Sequence, residues 1–159
     1  TVIRALAMLP DAFVLLLPGD GPGRAGMMKL AADLGLRDRV FFPGLRTDIP
    51  ELIRAGDYAV QSSRFEGFGL AALEAMAAGV PLLASRIPGL SEVAEGAGTL
   101  VEPGDPRALA EAVMELENDP EKRETLRLAA MEKAFGFDTD TMARKLMEIY
   151  GELTPRPGG

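Results

Sequence analysis

Apolar residues fall into two kinds of run along this chain. Five runs are short and continuous, "AFVLLLPG", "RVFFPG", "DYAVQSS", "VPLLAS" and "GTLVEPG", each ending in glycine, proline or serine. Strands buried on both faces read this way. Between them the apolar positions recur at helical steps, which predicts helices over Arg24 to Leu34, Asp48 to Ala55, Leu70 to Ala78, Leu90 to Ala94 and Pro106 to Glu117. The strand-helix alternation predicts an α/β fold, a doubly wound parallel sheet of Rossmann-like form. The chain opens with "TVIRALAMLP", an amphipathic helix with Val2, Ile3, Leu6 and Leu9 on one side and no strand before it, so the first strand of the unit is expected to be missing. After Pro120, which sits in a first-turn position, the pattern is helical only. "PEKRETLRLAAMEKAF" is followed by "DTDTMARKLMEIYGEL" with Asp138 as its cap, and both helices are expected to flank the sheet. Residues 1–150 read as one domain and 151–159, ending "TPRPGG", as a flexible tail. The methionines at 27, 28, 76, 114, 131, 142 and 147 stand mostly at core spacings and are expected to pack.

In a doubly wound sheet, ligands sit beyond the carboxyl ends of the strands, where helix N-termini present free N–H groups. The stretch "SRFEGFGLAALEAMAAGVPLLAS" lies at such an end. The turn "RFEGFG" points the amides of Phe68, Gly69 and Leu70 toward an anion, and its glycines let a ligand come close. Glu66 precedes those amides and Glu74 follows them about one turn into the helix. A carboxylate repels phosphate but accepts two hydrogen bonds from a vicinal diol. The order carboxylate, amides, carboxylate therefore matches a diphosphate with a diol at each end, the layout of a nucleotide-sugar. Two other readings stay open on the residues alone. Both glutamates are also compatible with ordinary surface positions near a positive helix end, and a glycosidase acid pair is a weaker match because amides aimed at an anion would serve it no purpose.

With 47% hydrophobic residues, a chain of 159 residues buries one substantial core. Its net charge of −7 and scattered basic residues leave no basic stripe for nucleic acid. Cysteine and histidine are both absent, which removes disulfides, thiolates, imidazole bases and His-ligated zinc. The longest apolar run, Met76 to Ala84, is broken by Gly79 and Pro81 and falls well short of the ~20 residues of a membrane span. A soluble, cytoplasmic protein without membrane contact is the expectation.

The stretch from "GDGPGRAG" through "RVFFPGLRTDIPELIRAGDYAVQSSRFEGFGLAALEAMAAGVPLLASRIPGLSEVAEGAGTLVEPGDP" resembles the C-terminal, nucleotide-sugar-binding domain of GT-B fold retaining glycosyltransferases, glycosyltransferase family 4 or glycosyl transferases group 1. The ordered set of Glu66, seven intervening residues, Glu74, then "PGLSEV" and "LVEPGDP" carries the likeness, which spans Thr1 to about Tyr150. The resemblance implies transfer of a hexose from a UDP- or GDP-sugar without a metal, the nucleotide-sugar being a substrate rather than a cofactor. It implies that Glu66 contacts the donor sugar as the catalytic carboxylate and Glu74 the ribose. It places the base near the backbone of Gly44, Leu45 and Arg46 and the diphosphate at Phe68, Gly69 and Leu70, with Arg64 and Gly67 of the same turn also at the donor. Two features of the family are missing from this sequence. One is the Arg and Lys that usually precede the opening helix and neutralise the diphosphate, and the other is the N-terminal acceptor domain. Half an enzyme, inactive by itself, is the resulting expectation.

Three further readings compete. "GPGRAG", Gly21 to Gly26, fits the dinucleotide fingerprint, with Asp48 at about the distance of a ribose-binding acid, and would make this an NAD(P)-binding domain. Against it, Pro22 lacks an N–H and the run does not follow the first strand of the fold. "DTD", Asp138 to Asp140, looks like an Asp-x-Asp metal motif but reads better as a helix cap. A non-catalytic nucleotide-binding or assembly module is the last alternative. A missing central strand should leave "FVLLLPG" and "YAVQSS" with facing unpaired edges, to be filled by a second copy of the chain, by a separate N-terminal polypeptide, or by the sheet closing up, and a homodimer or a complemented complex is the favoured outcome.

Overall fold

The computed structural model describes residues 1–137 and 139–153. Eight helices and five strands lie among them, alternating as far as α6: α1 (Val2–Leu6), β1 (Leu15–Pro18), α2 (Arg24–Asp33), β2 (Val40–Gly44), α3 (Ile49–Arg54), β3 (Ala59–Gln61), α4 (Leu70–Ala77), β4 (Leu82–Ser85), α5 (Pro88–Ala94), β5 (Thr99–Val101), α6 (Pro106–Asn118), α7 (Pro120–Phe135) and α8 (Thr139–Leu153). Every strand pair is parallel, as the alternation requires. The helix starts follow local chemistry. Asp105 accepts from the amides of Arg107 and Ala108 with Pro106 in the first turn of α6, and Asp119 accepts from the amide of Lys122 to open α7. α5 starts at Pro88, two residues earlier than the periodicity indicates. The proposed cap Asp138 and residues 154–159 lie outside the described residues, and α8 continues past Tyr150.

The strands form two ladders rather than one sheet. β1 pairs with β2, and β3, β4 and β5 pair in that order. Among the described residues no ladder joins β1 to β3, so the sheet does not close up. The order is that of a doubly wound sheet interrupted between β1 and β3, the two strands expected to carry unpaired facing edges.

Only β4 is buried along its whole length. Leu82 and Ala84 face Met76, Leu90 and Val93 with Ala130 of α7, while Leu83 faces Leu109, Val113 and Leu116 of α6. β1 and β2 instead alternate, with Val14, Leu16 and Phe41 turned outward. Burial on both faces, expected for every apolar run, thus holds only where helices cover both sides. α1 links the two ladders. Ile3 and Leu6 pack with Ala31, Leu36 and Val40, Ala5 packs with Leu83 and Leu109, and Val2, Leu9 and Phe13 lie against both groups. Its carbonyl end is tied down by Arg39, whose Nη2 donates to the carbonyls of Leu6, Leu9 and Pro10 at 3.3, 3.2 and 2.7 Å while Nε donates to that of Phe13.

The methionine expectation is corrected in part. Met76 is fully buried, but Met27, Met28, Met142 and Met147 are exposed. The last two lie on α8, which also turns Leu146, Ile149 and Tyr150 outward, so helical spacing there marks an exposed apolar stripe.

Candidate functional site

The loop from Ser62 to Gly69 joins β3 to α4 at the carboxyl end of the sheet. Gly69 sits in the left-handed region (φ 88°, ψ 48°), and a β-carbon there would lie 2.6 Å from Leu90 Cδ2. The left-handed backbone demands glycine there. The turn leaves the amides of Phe68, Gly69 and Leu70 without an acceptor among the described residues, and no side chain caps α4. Phe68 anchors the loop from below. Its ring packs on the core and meets Phe137 edge to face, with ring centroids 5.5 Å apart. From the side, Gly89 of α5 comes so close that a β-carbon would stand 2.6 Å from the carbonyl oxygens of both Glu66 and Gly67.

Glu66 is half-buried and held by one oxygen. Its Oε2 accepts from Gln61 Nε2 at 3.1 Å and lies 3.5 Å from Ser63 Oγ, while Oε1 has no partner among the described residues. Glu74, on the outward side of α4, is exposed and makes no hydrogen bond or ion pair there. Arg64 and Gly67 are exposed; the Arg64 guanidinium lies near Gly104, where a β-carbon would be 3.6 Å from Nη2. The loop therefore presents free donors between two carboxylates with free acceptor oxygens, and an exposed cation close by.

Gly44, Leu45 and Arg46 stand at the carboxyl end of β2, in the other ladder, with no hydrogen bond to the Glu66 loop. Gly44 is left-handed (φ 75°) and its carbonyl accepts from the Gly19 amide, while Leu45 is largely exposed. Arg46 is paired with Asp48 through two hydrogen bonds, Nε to Oδ1 at 2.8 Å and Nη2 to Oδ2 at 2.6 Å. That pairing lowers the Asp48 pKa and raises that of Arg46.

Beside Gly19, Gly21, Arg24 and Phe42 an open depression of about 330 Å³ marks the "GPGRAG" turn. It does not behave as a dinucleotide fingerprint. The Gly21 amide already donates to Asp20, and the proposed ribose acid Asp48 is taken by Arg46. Among the described residues no three acidic side chains gather as metal ligands would.

Residues 1–133 match the glycosyl transferases group 1 family. The chain belongs to that family. This glycosyl transferases group 1 domain is 37% identical over 154 residues to a D-inositol 3-phosphate glycosyltransferase of Salinispora tropica, covering 91% of the domain and 32% of that relative. It is also 37% identical over 142 residues to an N-acetyl-alpha-D-glucosaminyl L-malate synthase of Bacillus anthracis, covering 87% of the domain and 37% of the relative. The fold matches the crystal structure of Anabaena HepE in complex with UDP-glucose with a TM-score of 0.88 at 32% identity, over 95% of this chain and 44% of that one. The chain thus spans about a third of the curated relatives it matches and under half of the structural one. Family membership does not favour the NAD(P)-binding alternative.

Sequence reasoning found the loop but missed two of its supports. Gln61 was legible as a polar residue ending an apolar strand, and Gly89 as the second residue of "PG" opening a helix. Neither signal says what the residue touches. Among the described residues no helix is long and apolar enough to cross a membrane.

Proposed function

We propose that this domain binds the nucleoside diphosphate sugar of a retaining hexosyltransferase, with diphosphate at the amides of Phe68, Gly69 and Leu70, ribose at Glu74, sugar at Glu66 and base along Gly44 to Arg46. One observation carries the reading: three unbonded amides at a helix start lie between two carboxylates that each keep a free oxygen. The amides and the positive helix end offset diphosphate charge without calling for a metal ion. Anabaena HepE, crystallised with UDP and with UDP-glucose, supports the ligand class by likeness. The acceptor would be brought by the part of a full-length family member that this chain does not span, so the chain alone transfers no sugar.

Glu74→Ala is expected to weaken UDP or GDP binding roughly tenfold to a hundredfold, since a hydrogen bond to a charged group is worth ~1.5–3 kcal/mol. Glu66→Ala should weaken UDP-glucose more than bare UDP, because its partner is the sugar. Isothermal titration of both ligands on each variant checks the assignment, and unchanged affinity in Glu74→Ala would overturn it. A second consequence concerns the facing edges of β1 and β3, which form no ladder with each other. A strand from another polypeptide, or from a second copy in a homodimer, would satisfy their backbone groups. Light scattering showing a monomer would remove the homodimer.

A further inference from the structure

Glu66 does not find its position from its own backbone alone. The side-chain amide of Gln61, at the end of β3, reaches across the loop so that Nε2 is 3.1 Å from Glu66 Oε2 and 3.1 Å from Ser63 Oγ. An ionised carboxylate only accepts hydrogen bonds, so the NH₂ side of the amide faces it and the carbonyl side faces away. Both of its N–H groups are then used, one on Glu66 and one on Ser63, and the Ser63 hydroxyl stays free to turn its own proton toward Oε2 at 3.5 Å. The result is a one-sided clamp. Oε2 is held from the strand, and Oε1 is left for a ligand.

We infer that Gln61 is the positioning residue of the site: through Oε2 it fixes Glu66 in the orientation that offers Oε1 to the donor sugar, and so it governs affinity for the sugar but not for the nucleotide. This rests on the reading of Glu66 as the sugar-facing carboxylate. Three features make the clamp effective. Gln61 lies in β3, where its backbone is in register with Ala84 of the fully buried β4, so the donor is mounted on a rigid strand. Gln61, Ser63 and Glu66 are all only partly buried, so the bonds are shielded from water without the ligand being shut out. The glutamate's backbone is braced independently by the close approach of Gly89, which leaves the side-chain torsions as the remaining freedom. A glutamate side chain free to rotate spreads its carboxylate over several rotamers, and a donor sugar must then select one of them.

The test is a double-mutant cycle on the chain itself, read as the ratio of affinities for nucleotide-sugar and bare nucleotide. UDP-glucose, UDP-N-acetylglucosamine and GDP-mannose are each compared with UDP or GDP, and the pair with the largest ratio is carried forward. Gln61→Leu keeps the size of the side chain and removes the donor. It is expected to lower that ratio about tenfold while leaving bare nucleotide affinity as it was. In a Glu66→Ala background the same substitution should change neither affinity, because there is no carboxylate left to place. Gln61→Asn, a shorter amide, should restore part of the ratio only if its NH₂ still reaches Oε2, which a crystal structure of that variant shows directly. An equal loss for nucleotide and nucleotide-sugar, or the same loss with and without Glu66, would make Gln61 a general support of the loop and overturn the inference. If Glu66→Ala leaves the ratio untouched, or if no nucleotide-sugar binds better than its nucleotide, the sugar-facing role of Glu66 fails first and the inference with it.

Discussion

Gly89→Ala is expected to cost ~1–3 kcal/mol of stability and to abolish the preference for nucleotide-sugar over nucleotide. The added methyl would stand 2.6 Å from two carbonyl oxygens and 2.9 Å from the Gly67 carbonyl carbon, where ordinary contact needs about 3.5 Å or more. All three atoms belong to the backbone, so no side-chain rotation relieves the overlap. α5 cannot retreat either, because Leu90, Val93 and Ala94 behind it are completely buried. The Glu66 loop must therefore move, taking with it the carboxylate and the amides beside it. Thermal unfolding and titration with UDP and UDP-glucose read the two effects separately. Gly26→Ala supplies the contrast. It lies exposed inside α2 with nothing within 4 Å of the new methyl, and should stabilise the chain by ~1 kcal/mol through helix propensity. Wild-type stability and wild-type affinities in Gly89→Ala would show that α5 does not brace the loop.

Met76→Ala should destabilise more and perturb the site less. Met76 is 0% exposed on the inner side of α4, packed with Leu82, Leu90 and Ala130. Truncating a side chain so enclosed removes its burial and leaves a cavity, at a cost of ~2–5 kcal/mol, which for a domain of this size lowers the melting temperature by on the order of 10 °C. Glu74 points outward from the same helix, so UDP affinity measured well below the new melting temperature should stay near the wild-type value. Met76→Leu, nearly equal in volume, should cost less than ~1.5 kcal/mol. A drop in UDP affinity as large for Met76→Leu as for Glu74→Ala would mean that helix position, not the carboxylate, controls binding.

The residues show why some features were legible before the structure and others were not. Strand positions followed from continuous apolar runs, and the starts of α6 and α7 from Pro106 and Pro120, while the caps Asp105 and Asp119 came only with the structure. The candidate loop was legible as a unit because its residues are consecutive in sequence, from Glu66 to Leu70. What escaped depends on residues far apart in the chain. Arg39 reaching the end of α1, or Gly89 meeting the carbonyl of Glu66, arises only when separate elements are brought together. The outward turn of Val14, Leu16 and Phe41 was hidden for a related reason, since an apolar run does not report whether a helix covers each face. The exposed methionines of α8 show the same limit, a periodicity that marks a face but not its partner.

The division of strands into two ladders also has a dynamic consequence. Hydrogen bonds between strands make a sheet open as one cooperative unit, and among the described residues none crosses from β1 to β3. Local opening along that line breaks only side-chain packing, chiefly around the five-residue α1. The segment assigned to the base lies on one side of the line, and the two glutamates lie on the other. A parting along that line would separate the segment proposed for the base from the two glutamates, so a ligand touching both would act as a crosslink between the two ladders.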